Sequence, residues 1–238
     1  MALTTVVGKS GAELEVDPTF LAARVVAYPL EYATQGRVLG HYGVVQRSGS
    51  LVATIGALGH LASLRWNVSN AYCVLMRLKV AWSIVGAVTA AVQMNMRAVL
   101  ARGFTVDFSA DNTQANLAAI PKANAMKSSM GSSLLGATGP QIAATTVMSG
   151  QTITADTLGI GFATWPGTVD LNATGTAVVM GVGFAGEAQT LYEYNVHEAH
   201  PVVLGLNEGI IVQPISAGPA SGTYSIYTQW EWAEVEVY

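Results

Sequence analysis

The chain's last stretch, "GTYSIYTQWEWAEVEVY" (residues 222–238), decides the fold. It gathers two tryptophans and three tyrosines at a place where chains usually fray. Tyr224, Ile226, Thr228, Trp230 and Trp232 share one parity, and Ser225, Tyr227, Gln229 and Glu231 share the other. A period of two belongs to a strand with one face buried and one face polar. Buried aromatic side chains contribute ~1.5–3 kcal/mol each. This strand is therefore expected to lie in the core, and its deletion to unfold the protein. After Trp232 the apolar set moves to Ala233, Val235 and Val237, with Glu234 and Glu236 opposite. Such a phase slip predicts a bulge or a change of sheet in this strand.

Other stretches carry the same period. Tyr72, Val74, Met76, Leu78, Val80 and Trp82 alternate with more polar neighbours, as do Met94, Met96, Ala98 and Leu100. Phe104, Val106 and Phe108 continue on one face. The segment "SIVGAVTAA" between the two runs, with Gly86 near its middle, fits a turn. A single helix over 80–102 is the rival, favoured by Ala and opposed by Val, Ile and Thr. "HPVVLGLNEGIIVQPI" holds two apolar runs around a tight turn at Asn207 and Gly209. Early strands (72–82 and 93–108) are expected to pair with late ones (200–215 and 222–236). The result is mainly β, a jelly-roll-like antiparallel β-sandwich with Trp82, Phe104, Tyr224, Ile226, Trp230 and Trp232 in its core. Residues 1–20 read as an N-terminal arm and 21–238 as one domain. A low-charge Ala/Ser/Thr/Gly-rich insertion at about 110–160 has room for a short helix near 114–119. It is too long for an ordinary loop and is expected to cover a surface.

Composition bounds the function. Of 238 residues, 51% are hydrophobic and only 11% charged, against about 25% in soluble domains generally. So little charge points to surface that is polar-neutral or buried against neighbours, a hint of assembly. The net charge of −4 leaves no basic footprint for nucleic acid. Cys73, alone, has no partner for an internal disulfide and reads as a buried thiol. The run 80–92 is too short to span a membrane. The N-terminal residues lack a signal-peptide pattern, so a soluble protein made in a cytoplasm is expected.

Motifs with chemistry are few. "VVGKSG" has Leu3 where a P-loop needs its first glycine. "GVGFAG" (181–186) is a formal G-x-G-x-x-G, but strand-like sequence follows it and no acidic residue stands at the required distance. His197, Glu198 and His200 could ligate a metal from one helical turn, but Pro201 opposes a helix there. No nucleophile and base stand at a recognisable spacing. The expectation is a protein that is not an enzyme, with no cofactor and no metal.

The C-terminal pattern carries a resemblance. "EAHPVVLGLNEGIIVQPISAGPASGTYSIYTQWEWAEVEVY" presents His200-Pro201, Asn207-Glu208-Gly209, Gly222-Thr223 and Glu231-Trp232-Ala233-Glu234-Val235 in order. It resembles the closing segment of a widespread group of tailed-bacteriophage structural proteins. Upstream, Arg65-Trp66 and Arg102-Gly103-Phe104-Thr105, within "GHYGVVQRSGSLVATIGALGHLASLRWNVSNAYCVLMRLKV" and "ARGFTVDF", are similar to that group's middle. The resemblance covers roughly 25–110 and 185–238. It implies a virion component with a β-sandwich core and no catalytic residues. The function so implied is a capsid decoration (cement) protein. Its partners would be the major capsid protein and itself, most simply as a trimer, with neither nucleic acid nor membrane. It would lie on the capsid surface after synthesis in the bacterial host cytoplasm. The alternative is a tail or neck appendage that recognises a host glycan, with Tyr227 as its exposed aromatic.

Overall fold

The computed structural model describes residues 38–52, 55–86, 94–115, 117, 131–165, 169–170, 179–180, 188–195, 200–218 and 222–236. The expected arm at 1–20 lies outside them, as does most of the turn expected between the first two strands. Among the described residues every regular element is a strand and none is a helix. In chain order they are β1 (Val38–Arg47), β2 (Leu51–Val52), β3 (Ala62–Trp66), β4 (Tyr72–Gly86) and β5 (Met94–Val106). Then come β6 (Asn112–Gln114), β7 (Gln141–Ala143), β8 (Thr152–Trp165), β9 (Val169–Asp170) and β10 (Val179–Met180). The last are β11 (Gln189–Glu193), β12 (Val202–Leu204), β13 (Glu208–Pro214) and β14 (Thr223–Val235).

Two antiparallel sheets pack together. The first runs β1-β14-β4-β11, with β12 also on β4 and β2 also on β14. The second runs β6-β7-β3-β13-β5-β8. Early strands pair with late ones in both: β4 with β14, and β5 with β13. The core fills the space between. Phe104, Tyr224, Ile226, Trp230 and Trp232 are fully buried, and Trp82 nearly so. Tyr42 of β1 stacks on Trp232 at 5.9 Å between ring centroids, and Trp82 meets Tyr224 edge-on at 6.3 Å, both favourable aromatic geometries. The Leu-Asn-Glu-Gly turn forms as its residues suggest. Asn207 takes a left-handed φ of 62°, which asparagine tolerates, and the Gly205 amide donates to the Glu208 carboxylate at 2.8 Å.

Two local expectations are corrected. The phase slip belongs to β4, not to β14. Arg77 pairs with Glu231 and Leu75 with Trp232, leaving Met76 as the extra residue of a bulge. Along β14 the alternation continues unbroken, so Glu234 follows Trp230 and Trp232 inward. Ala233 and Val235 share the opposite face with Val74. A buried carboxylate is costly unless its oxygens are satisfied. Glu234 receives the Ser133 hydroxyl at 2.6 Å, the Leu134 amide at 2.9 Å and the Trp232 indole N–H at 3.1 Å. Ser225, on the polar parity, is likewise fully buried and donates to the Gly49 carbonyl at 3.1 Å.

The 110–160 segment also differs from a plain loop. β6 and β7 extend the second sheet beyond β3, and β8 begins at Thr152. Between β6 and β7, residues 131–138 are held against β14 by Glu234 and against β1 by the Tyr42 hydroxyl, which donates to the Gly131 carbonyl at 2.9 Å. Gln141 ties the two arms of the segment by exchanging hydrogen bonds with the Phe108 backbone at 3.2 and 2.9 Å. Of the residues where a helix had room, 114–119, Gln114 closes β6, and 116, 118 and 119 lie outside the described residues.

Candidate functional site on strand β8

β8 ends the second sheet and pairs irregularly with β5. The register shifts at Ala98/Val99, Val99/Ala101 and Arg102/Val106. Gly159 and Gly161 lie in the middle of the irregular ladder and bring no side chains to it. Gly161 is obligatory, because a Cβ there would strike the carbonyl oxygen of Leu191 on β11. That approach joins the two sheets along one margin. Gln189 of β11 strengthens it: its amide accepts from Thr164 N at 3.2 Å and donates to Thr164 O at 2.8 Å. One side chain thus takes the place of a ladder rung.

Beside this seam lies a hollow of about 440 Å³ lined by Arg97, Gly159, Ile160, Gly161, Phe162 and Ile215. Two large apolar side chains of the same strand stand in water: Leu158 is 80% exposed and Phe162 71%. Arg97 of β5, opposite Phe162 in register, donates to the Thr157 carbonyl at 3.0 Å and to Gln213 Oε1 at 3.3 Å. Both acceptors are neutral. The other described arginines are matched. Arg65 pairs with Asp107 at 2.8 Å, Arg77 with Glu231 and Glu193, and Arg102 with Asp156 at 3.4 Å and Glu208 at 3.2 Å. The Arg47 guanidinium sits 5.5 Å from the centre of the Tyr227 ring. Tyr227 is therefore occupied by a neighbour rather than presented as a bare platform.

His200 is exposed, while His197, Glu198 and the glycine motif at 181–186 lie outside the described residues. Among the described residues no three of His, Cys, Asp or Glu form a group fit for a metal ion. Burial pushes the Cys73 thiol well up, and nearby Glu234 pushes it further, so a thiolate is disfavoured. His60 and His41 are both held below the ordinary imidazole value, chiefly by burial. His60 lies 3.0 Å from the Gln151 amide. These are groups built into packing. No described helix is long and apolar enough to cross a membrane.

Sequence reasoning missed β8. Its signal was present as Ile160 and Phe162 flanking a glycine, but Thr, Ala and Gly diluted the alternation. No model of a known protein family matches the chain, and neither does any curated protein sequence.

Proposed function

We propose that this chain is a non-enzymatic virion structural protein that binds across capsid subunits and stabilises a phage head. The observation that carries the reading is the β8 face, where Leu158 and Phe162 stand exposed beside an apolar hollow. Large apolar side chains clustered on a surface mark sites of association. A chain with 11% charged residues has few ion pairs with which to hold a partner. The strand order supports a jelly roll. Four main strands run β1-β14-β4-β11 in one sheet and β3-β13-β5-β8 in the other, so sequential strands fall in alternate sheets except for β5 and β8, which are neighbours in the second, as in a double Greek key. Viral capsid domains use this architecture. Together with the resemblance of the C-terminal segment, it favours a shell component, self-associated and seated on the major capsid protein. The arm at 1–20 is assigned to the same task. A joint of this kind needs about 1,600 Å² of buried surface, and many copies strengthen it by avidity.

Two measurements test the proposal. In purified particles the chain should be present at a stoichiometry comparable with the capsid subunit. A handful of copies per particle would place it in the neck or tail instead. The double variant Leu158→Ser/Phe162→Ser should stay folded yet lose binding to capsids stripped of the protein. Binding at the wild-type level would remove β8 from the interface.

A further inference from the structure

We propose that the hollow beside β8 receives an extended segment of a protein partner in which a carboxylate side chain is flanked by apolar ones. The carboxylate pairs with Arg97, and an apolar side chain fills the space over Gly159 and Gly161. This rests on the reading of the β8 face as an interface and names the chemistry of what it accepts.

Charge selects the acidic group. Arg97 is the described arginine whose guanidinium faces neither a carboxylate nor an aromatic ring. Its two acceptors, Thr157 O and Gln213 Oε1, are neutral and leave part of the five-donor fork unused. Ile160, Phe162 and Ile215 surround it with apolar surface, where a carboxylate gains more from a guanidinium than it would in open water. Apolar extent selects a segment over a small anion. Leu158 and Phe162 are four residues apart on one strand, about 13 Å at ~3.3 Å per residue, more than one side chain covers. A nucleic acid is the wrong chemistry, since a lone cation among aliphatic side chains offers phosphates no footprint.

The full chain is titrated with two capped hexapeptides, one alternating valine with glutamate and one alternating valine with glutamine. The amide resonances of Gly159, Gly161 and Phe162 are followed by NMR. The glutamate peptide should shift them saturably, and the glutamine peptide should bind about two- to fivefold more weakly, the range expected of one partly exposed ion pair. Arg97→Met should bring the glutamate peptide to the glutamine level, and Arg97→Lys should restore most of the preference. Equal affinity of the two peptides would overturn the proposal. So would shifts that map elsewhere, or no shift at all. Self-association through β8 without peptide, seen by sedimentation, would assign the hollow to a second copy and also overturn it. No capsid takes part, so failure here is distinct from failure of the virion reading, which is decided by particle stoichiometry.

Discussion

The two outer faces of the sandwich are finished differently. On the first sheet, Glu193, Arg77 and Glu231 lie in register across β11, β4 and β14, and the arginine contacts both carboxylates. Next to them Arg47 covers Tyr227. Exposed apolar side chains are present on this sheet too, with Val45 at 69%, Val85 at 48%, Val52 at 47% and Tyr72 at 41%, but Glu193, Arg77 and Glu231 are matched by internal pairing. At the β8 margin of the second sheet the pattern is reversed. The ladder is irregular, Leu158 and Phe162 are exposed, and Arg97 meets only neutral acceptors. The difference is one of degree and of pairing: the β8 margin carries Leu158 and Phe162, at 80% and 71% the most exposed large apolar side chains among the described residues, beside an arginine with neutral acceptors.

Substitutions can break this contrast. The largest effect should come from the first sheet's inner face. Trp232→Ala removes a fully buried indole and should cost ~3–5 kcal/mol, much of a typical domain's stability, as read by urea denaturation. If it costs no more than the β8 surface changes, the indole of Trp232 does not anchor the core. Next is the seam. Gly161→Ala forces β8 from Leu191 and should cost about 1–3 kcal/mol, with exchange of amides in β8 and β11 accelerated before those of β14. Equal acceleration in all three would make the seam no weaker than the centre. A smaller effect is expected from pH at Glu234. Burial raises its carboxyl above the ordinary 4.5, against the hydrogen bonds from Ser133, Leu134 and Trp232. A raised folded value means the native state binds the proton more readily than the unfolded chain does. The stability from this group is therefore full below the ordinary value and is lost as pH rises through the raised one. Glu234→Gln does not titrate, so wild type should gain thermal stability relative to it as pH falls from neutrality toward 4.5. A relative loss would reverse the sign. Smallest is Leu158→Ser/Phe162→Ser, within ~0.5 kcal/mol of wild type; a cost of several times that would show these side chains to be packed rather than presented.

What could be read in advance follows the contrast in side chains. β14, β4 and β5 mix aromatics and aliphatics with polar residues at every second position, so their strand character and early-to-late pairing were legible. The Met76 bulge was not, because Tyr72, Val74 and Met76 continue the parity of Leu78, Val80 and Trp82, although the backbone turns them to the other face. Glu234 was misplaced for a related reason. Its charge says solvent, and the donors that make burial tolerable include Ser133 and Leu134, a hundred residues earlier in the chain. β8 escaped because glycine, threonine and alanine give weak contrast between faces. The hollow lies where β8 pairs irregularly with β5, which only the fold brings beside Arg97.

The place of β14 has a consequence for synthesis. It lies between β1 and β4 in the first sheet, yet more than a hundred residues separate it from either in the chain. A ribosome that has made β1 and β4 has therefore made two ribbons with a gap the width of one strand. Until residues 223–235 emerge, the nascent polypeptide has open edges on both sides of that gap. Such distant pairing makes maturation slow, and edges of this kind invite pairing between neighbouring chains. Protection of the nascent sheet by a chaperone would matter most in the interval before residues 223–235 clear the exit tunnel.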